Sequence, residues 1–291
     1  MGSKAKLELM ASMFIFGTIG IFVRHIPLPS SVIALVRGFI GALFVLLFVY
    51  LKKSSISKEA IRRNFLMLAL SGAFIGINWI LLFESYHYTT VATATLCYYM
   101  QPIFVILASP FLLQEKLTVK KVICVVVALV GMVFVSGVLE TGIPAVSEAK
   151  GILYGLGAAF FYATVVLMNK RITDISAYDK TIMQLGMGAL VLSPYVFLTQ
   201  DMGQVGAMLT PFALLLLLFV AIIHTGVAYA LYFDAMKDLK AQTIAIFSYI
   251  DPIVAIILSA LLLKESMGLY GLIGAVLVLG STFVSELPEK E

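Results

Sequence analysis

Charge and cysteine are both scarce in this chain. The sequence has 20 Lys+Arg and 16 Asp+Glu among 291 residues, so that charged residues make up only 12%; soluble domains contain about 25%. The two cysteines, Cys97 and Cys124, lie in apolar runs and have neither paired nor metal-ligand spacing. These deficits exclude an ordinary soluble domain and a disulfide framework, and no metal site is expected.

Signatures of catalysis and of nucleotide-driven transport are also missing. The sequence contains no H-E-x-x-H motif, no G-x-S-x-G elbow and no P-loop. The formal net charge is only +4, and in so apolar a chain its placement matters more than its sum. We therefore expect no enzyme activity, no cofactor and no nucleic-acid partner.

Hydrophobic residues, by contrast, make up 61% of the chain. Apolar runs of about 20 residues recur along its length, and each is long enough to cross a bilayer as a helix. The first run follows Lys4 and Lys6 without a small-residue cleavage site, which predicts a retained helix. The sequence predicts an all-α polytopic membrane protein with ten transmembrane helices, at 7–25, 31–51, 64–86, 91–113, 119–138, 149–170, 178–199, 211–233, 241–263 and 267–286.

The basic residues of the loops predict the orientation. With the N-terminus in the cytoplasm, 16 of the 20 Lys and Arg fall on the inner side. Only Arg24, Lys150 and Lys264 fall on the outer side, and Arg37 lies within the membrane. Because cytoplasmic loops carry the excess of Lys and Arg, both termini are expected inside. The predicted location is the plasma membrane, as a multi-pass protein of a bacterial inner membrane.

An internal repeat divides the chain into two halves. At an offset of 150 residues, 83–115 matches 233–265 in a Tyr-x-x-Pro…Glu skeleton that apolar composition alone does not explain. The predicted halves are 1–140 and 147–291, with five helices each. An odd number of spans inverts the second half relative to the first, and such repeats are typical of transporters with a midplane site.

Three segments resemble the drug/metabolite transporter superfamily, specifically the EamA-type permeases. They are "LVRG" around Arg37, "YMQP…LLQE" in the fourth helix and "YIDP…LLKE" in the ninth. The resemblance covers the whole chain. It implies a ten-helix fold in which helices 1–4 and 6–9 surround a central cavity while helices 5 and 10 pack peripherally. It also implies transport of small metabolites, often export of amino acids.

Polar residues within the spans collect in helices 1–4 and 6–9. Such residues usually face the bundle interior or a water-filled path. The candidates for substrate binding are Arg37, Asn78, Trp79, Tyr99, Gln101, Tyr162, Gln184, Tyr229, Tyr249 and Asp251. The corresponding Tyr99 and Tyr249 either flank the substrate or serve packing.

Arg37 has a functional and several structural interpretations. A guanidinium holds a carboxylate through two parallel hydrogen bonds, so Arg37 could clamp an acidic group. The structural alternatives are a pair with Glu84, bonds to helix-end carbonyls, and snorkelling to the outer headgroups. The corresponding position in the second half is Gln184, so a clamp would be asymmetric.

The "YIDP" stretch places Asp251 and Pro252 inside an apolar run. A lone intramembrane aspartate costs about 2.5–3.5 kcal/mol on insertion scales, so it needs a partner, a proton or water. "YMQP" puts Pro102 at the corresponding place, and such Pro-interrupted spans indicate a binding site. We predict helix breaks at Pro102 and Pro252. Asp251 either faces the transport path or only caps a half-helix.

Protons are the candidate coupling ion, and three residues could carry them. Asp251 is the first choice, followed by Glu84 and by His224, which titrates near physiological pH but could equally be a satisfied hydrogen-bonding residue. An interfacial aromatic belt is the prediction for Tyr86, His87 and Tyr88.

These observations predict a secondary transporter that exports amino acids or related amines by alternating access around a midplane cavity. Its partners would be a small-molecule substrate, the lipid bilayer and protons, and we expect a monomer or a weak homodimer. Two alternatives stay open. One is an exporter of quaternary-ammonium or drug cations, which would use the same carboxylate and aromatic rings. The other is a membrane receptor or scaffold without transport.

Overall fold

The computed structural model describes residues 2–112, 114, 117–141, 145–239, 244, 247–265 and 267–287, and all regular secondary structure in these ranges is helical. Residues 2–141 form α1 (Gly2–Arg24), α2 (Ser30–Leu51), α3 (Lys58–Tyr88), α4 (Val91–Tyr98), α5 (Gln101–Leu112), α6 (Val119–Val135) and α7 (Val138–Thr141). Residues 146–238 form α8 (Val146–Asn169), α9 (Ala177–Thr199), α10 (Met202–Met208), α11 (Pro211–Phe219), a π-helical turn (Val220–Val227) and α12 (Ala228–Asp238). The last two helices are α13 (Ile250–Leu262) and α14 (Leu269–Glu286).

Local capping explains where several helices begin. A Ser or Thr side chain at the N-cap accepts a hydrogen bond from a backbone N–H of the first turn, which satisfies one of the free donors there. The Ser57 side chain caps α3, that of Thr90 caps α4, and that of Ser176 caps α9. Each cap fixes the point at which a loop becomes a helix.

Within the described residues, seven helices or helix pairs are long and apolar enough to cross a membrane. They match the first four and the sixth to eighth predicted spans. The fifth, ninth and tenth predicted spans correspond to the shorter helices α6, α13 and α14, of 17, 13 and 18 residues. Residue 113 of the fourth span, residues 241–243, 245 and 246 of the ninth span, and Glu115 of the repeat skeleton lie outside the described residues. The inverted ten-helix topology and the cytoplasmic termini stay predictions.

Breaks interrupt the fourth and ninth predicted spans near the two prolines. The helix breaks at Tyr99 and Met100, and α5 then begins at Gln101 with Pro102 in second place. In the other half a turn at Tyr249 precedes α13, whose third residue is Pro252. Proline is tolerated in the first turn of a helix because it lacks only an N–H that has no intrahelical partner there. Each break therefore lies just before its proline.

Helices from the two predicted halves alternate around the middle of the molecule. The long α3 packs against α8 and α9, and α2 packs against α9 and the π-helical turn. α1 lies between α12 and α13, while α4 and α5 pack on α8. A buried apolar cluster that includes Val23, Trp79 and Phe83 surrounds this contact zone. The arrangement leaves a cavity between α1, α3, α4 and α13.

α6 and α14 form a separate pair outside this arrangement. Each contacts the other more than any other helix, at a crossing where Gly131 and Gly274 meet. A Cβ added at Gly274 would lie 2.7 Å from the Gly131 carbonyl oxygen, so only glycine fits. Small residues typically allow helices in membranes to approach this closely, and Gly274 does so here.

Candidate functional site

A cavity of about 250 Å³ lies at the meeting point of these helices. Nine of the predicted site residues line it: Arg37, Trp79, Tyr99, Gln101, Pro102, Tyr162, Tyr229, Tyr249 and Asp251. They come from α2, α3, α8, α12 and the two segments around the helix breaks. The breaks at Tyr99–Met100 and at Tyr249 thus bring residues of both repeat motifs to one wall.

Arg37 is the cation of the cavity. Its side chain is buried, with 4% of the residue exposed. The guanidinium carbon lies 4.0 Å from the centroid of the Trp79 ring, and Nε donates to the Thr225 hydroxyl at 2.7 Å. Among the described residues no carboxylate oxygen lies within 4 Å of the guanidinium. Arg37 therefore neither pairs with Glu84 nor extends to the membrane surface.

Asp251 is the acidic residue of the same cavity. It lies in the first turn of α13, where the N-cap position belongs to Tyr249 and has no side-chain capping bond. Its Oδ2 instead accepts a hydrogen bond from the Tyr99 hydroxyl at 3.0 Å. Within the described part of the chain, no Lys or Arg nitrogen lies within 4 Å of this carboxylate. Asp251 thus lines the cavity and does not cap the half-helix.

Aromatic rings occupy much of the remaining wall. The rings of Tyr99 and Tyr249 lie with centroids 6.4 Å apart, and those of Tyr98 and Tyr162 lie 5.6 Å apart. Phe16 of α1 contacts the Tyr229 ring at 5.4 Å. Rings present a negative face to cations and an apolar surface to side chains. The wall suits an organic ammonium better than an inorganic ion.

Two predicted substrate-binding residues do not line this cavity. Asn78 is buried and donates to the Ala158 carbonyl at 2.6 Å, which joins α3 to α8. Gln184 donates to the Ser71 hydroxyl and to the Asn169 side-chain oxygen, both at 2.7 Å. Their amides connect helices, because a buried polar group costs free energy unless it is hydrogen-bonded.

Two of the three proton-carrier candidates also lie away from the cavity. His224 is fully buried in the π-helical turn, where Nε2 lies 2.8 Å from the Thr18 hydroxyl and the ring packs against Phe22 and Phe219. Glu84 is half-buried on α3, outside the cavity lining. Of the three, only Asp251 reaches the cavity.

Some lining residues were not among the predicted site. Tyr86 was expected in an interfacial belt, which is wrong: it is buried and lines the cavity, because α3 continues past it to Tyr88. Phe16 also lines the cavity, and Thr225 lies behind its wall against Arg37; neither carried a signal in the sequence. Phe16 resembles any other apolar residue of α1, and Thr225 becomes relevant only through its contact with Arg37.

One end of the helix bundle is joined by a cluster around Arg24, which we call the Arg24 cluster. Arg24 ends α1; Nη2 lies 3.1 Å from Glu265 Oε1, and Nη1 donates to the carbonyl oxygens of Tyr86 and Thr89. Glu265 follows α13 and accepts from the Val91 N–H at 2.9 Å. This cluster therefore connects α1, α3, α4 and α13.

The opposite end carries the Lys52 cluster. Lys52 follows α2, and its ammonium pairs with Asp234 of α12, whose carboxylate also accepts from the Tyr178 hydroxyl of α9. α2 has 22 residues and so separates the two ends by about 33 Å. The Asp234 side chain is thus paired and only 23% exposed.

Comparison with known proteins identifies the family. The model of the EamA-like transporter family matches residues 4–137 and 149–286. The uncharacterized transporter YxxF of Bacillus subtilis (strain 168) is 32% identical over 279 residues, which cover 95% of this chain and 87% of that protein. An uncharacterized transporter of Archaeoglobus fulgidus is 27% identical, covering 95% and 94%. Protein RarD of Escherichia coli (strain K12) is 27% identical, covering 69% and 65%.

A solved crystal structure shares the fold. It has a TM-score of 0.66 and 17% sequence identity, and it covers 98% of this chain and 96% of the other. The family match over nearly the whole chain, the bacterial relatives and the apolar helices all indicate the same class of membrane protein. This chain is a multi-pass protein of the cell membrane and belongs to the EamA-like transporter family.

Proposed function

We propose that this protein is a secondary transporter of amino acids or closely related zwitterions. The observation that supports this most directly is the pair of unlike charges in one cavity. Arg37 and Asp251 both line it, and neither has an ionic partner among the described residues. A buried charge without a partner is costly. A zwitterion would supply both missing partners, its carboxylate to Arg37 and its ammonium to Asp251.

Proton coupling follows from the same carboxylate. Asp251 without substrate would take up a proton, and an arriving ammonium would displace it. One proton would then cross the membrane in the direction opposite to each zwitterion, so that the cycle exchanges the two. The absence of a P-loop agrees with a gradient as the driving force.

A screen for stabilising ligands tests the substrate class. Purified protein is heated with a panel of amino acids, with their methyl esters, which lack the carboxylate, and with their N-acetyl derivatives, which lack the ammonium. Ligands that bind the folded state raise the melting temperature, by an amount corresponding to about 2.7 kcal/mol at 100 times Kd. We expect the unmodified amino acids to raise the melting temperature more than the methyl esters or the N-acetyl derivatives do.

Lipophilic cations form the contrasting arm of the same screen. The tyrosine rings and Asp251 would also suit a quaternary ammonium ion, although Arg37 would then keep no partner. Stabilisation by tetraethylammonium but not by amino acids would replace our proposal with a cation exporter. Stabilisation by none of these compounds, with no flux in liposomes, would favour a receptor or scaffold.

Alternating access requires each end of the bundle to open in turn. We propose inverted halves, 1–140 and 147–291, that rock about the cavity. The Arg24 and Lys52 clusters each join the two halves, so they are suited to hold one end closed at a time. By the distribution of basic residues, the Arg24 cluster would face outward and the Lys52 cluster would face the cytoplasm.

Crosslinking the Arg24 cluster should stop transport. The Arg24→Cys/Glu265→Cys variant, in a background with Cys97→Ala and Cys124→Ala, is treated with a short thiol crosslinker in proteoliposomes. Because the crosslink holds α1 to the end of α13, we expect amino-acid flux to cease and to return when a cleavable crosslinker is reduced. The measurement is uptake of radiolabelled amino acid.

A pair within one helix provides the control. Lys4 and Glu8 lie four residues apart on α1, with their charged atoms 3.4 Å apart. Crosslinking Lys4→Cys/Glu8→Cys joins no two helices and should leave uptake unchanged. Continued uptake after complete crosslinking between residues 24 and 265 would contradict the closing role of the Arg24 cluster.

A further inference from the structure

The orientation of the Arg37 guanidinium depends on a contact that lies behind the cavity wall. Nε donates to the Thr225 hydroxyl at 2.7 Å, and one face of the guanidinium lies on the Trp79 ring. Thr225 is fully buried and does not line the cavity. A guanidinium has five N–H donors in a fixed plane. Thr225 takes the single donor of Nε, which leaves the four donors of the two Nη atoms for a ligand.

The π-helical turn places Thr225 in this position. Such turns are rare and often occur at functional sites. Two adjacent residues of this turn reach two different helices: Nε2 of His224 lies 2.8 Å from the Thr18 hydroxyl of α1, and the Thr225 hydroxyl accepts from Arg37 of α2. The turn is therefore anchored on both sides, and Thr225 has little freedom to move.

Two glycines allow α2 to approach the turn closely. Gly41, one helical turn beyond Arg37, faces Thr225, and a Cβ there would lie 3.0 Å from the Thr225 Cβ. Gly226 faces Phe44, and a Cβ there would lie 2.5 Å from two atoms of that ring. Larger residues at either position would separate the two elements. The hydrogen bond between Arg37 and Thr225 requires this close contact.

We propose that Thr225 is a positioning residue that directs both Nη atoms of Arg37 into the cavity. A substrate carboxylate then binds to the two Nη atoms at the end of the guanidinium. In this way Thr225 sets the preference for carboxylate-bearing substrates. This inference rests on the proposed function, in which Arg37 binds the carboxylate. Without the bond to Thr225, the guanidinium rotates about its side-chain torsions and Nε competes for the ligand. Bidentate recognition loses its fixed geometry although the positive charge remains.

Thr225→Val tests the inference because valine has the shape of threonine without the hydroxyl. We expect the half-saturating concentration of amino acids to rise about tenfold, the size of one hydrogen bond to a charged group. Binding of the corresponding methyl esters should not change, and the maximal rate should stay close to that of the unaltered protein. Thr225→Ser keeps the hydroxyl and should restore amino-acid affinity.

Two further variants separate this role from a structural one. Thr282 is buried in α14, and within the described part of the chain its hydroxyl bonds only to carbonyls of its own helix, so Thr282→Val controls for the loss of a buried threonine and should leave affinity unchanged. In an Arg37→Gln background, Thr225→Val should have no additional effect on amino-acid affinity, since the residue that it positions is gone.

The outcomes distinguish this inference from the proposed function. If Arg37→Gln weakens amino-acid binding and Thr225→Val does not, the positioning role is wrong and the carboxylate site stands. If Arg37→Gln leaves amino-acid binding intact, the carboxylate site itself is wrong. Equal weakening of amino acids and methyl esters by Thr225→Val would indicate a general packing defect and would overturn the inference.

Discussion

Asp251→Asn is expected to abolish amino-acid uptake driven by a pH gradient in proteoliposomes. The amide keeps the size of the side chain and can still accept a hydrogen bond from the Tyr99 hydroxyl. It cannot bind a proton or balance an ammonium ion. Loss of a charge-assisted bond of about 1.5–3 kcal/mol weakens binding roughly 10–150-fold. Binding is measured by the shift in melting temperature. Coupling is measured by the acidification of the compartment from which the substrate is taken up.

Glu84→Gln is the matched control for Asp251→Asn. Glu84 also lies within a predicted span but is outside the cavity lining. We expect gradient-driven uptake to persist in this variant. Full uptake by Asp251→Asn would show that the coupling proton binds elsewhere, and loss of uptake in Glu84→Gln alone would identify Glu84 as the carrier.

Arg37→Gln is expected to remove the distinction between an amino acid and its methyl ester. Arg37 is the one cationic side chain among the described residues that line the cavity. Without it the substrate carboxylate is buried unpaired, so amino-acid binding should weaken by roughly 10–150-fold. Ester binding depends on Asp251 and the rings and should be retained or improved. Both are measured by thermal shift and by competition for uptake.

Arg37→Lys refines this result. Lysine keeps the charge but has neither the planar fork nor the face that lies on Trp79. It should recover only part of the affinity for amino acids. Arg63→Gln, an exposed change at the end that carries Lys52, should leave affinity unchanged. Unaltered discrimination in Arg37→Gln would exclude Arg37 from the binding site.

The helices themselves were largely predictable from the sequence. Runs of apolar residues and their loop boundaries place most spans within a few residues of the observed ends, because a long apolar segment in a bilayer has to satisfy its backbone hydrogen bonds internally, as a helix does. α2 was predicted at 31–51 and spans Ser30–Leu51, and α9 was predicted at 178–199 and spans Ala177–Thr199. The breaks before Pro102 and Pro252 were also predicted, because both prolines belong to the Tyr-x-x-Pro motif that the two halves share.

The cavity was only partly predictable. Conspicuous residues within apolar runs, such as Arg37, Trp79 and Asp251, do line it. Asn78, Gln184 and His224 carried the same kind of signal, yet each of them places a polar atom against a neighbouring helix and not in the cavity. The type of a polar residue reveals that it needs a partner, but not whether that partner is a ligand or another helix.

Composition and local periodicity were enough to predict the class of protein, the positions of the helices and the presence of acidic and basic residues in the apolar interior. Which side chains share a cavity depends on the packing of the helices. It placed Asp251 beside Tyr99, left Arg37 without a carboxylate nearby among the described residues, and brought Thr225 to it across 188 positions of sequence. Such contacts depend on how helices cross, and crossing is set by small residues such as Gly41 and Gly226 together with packing along the whole of both helices.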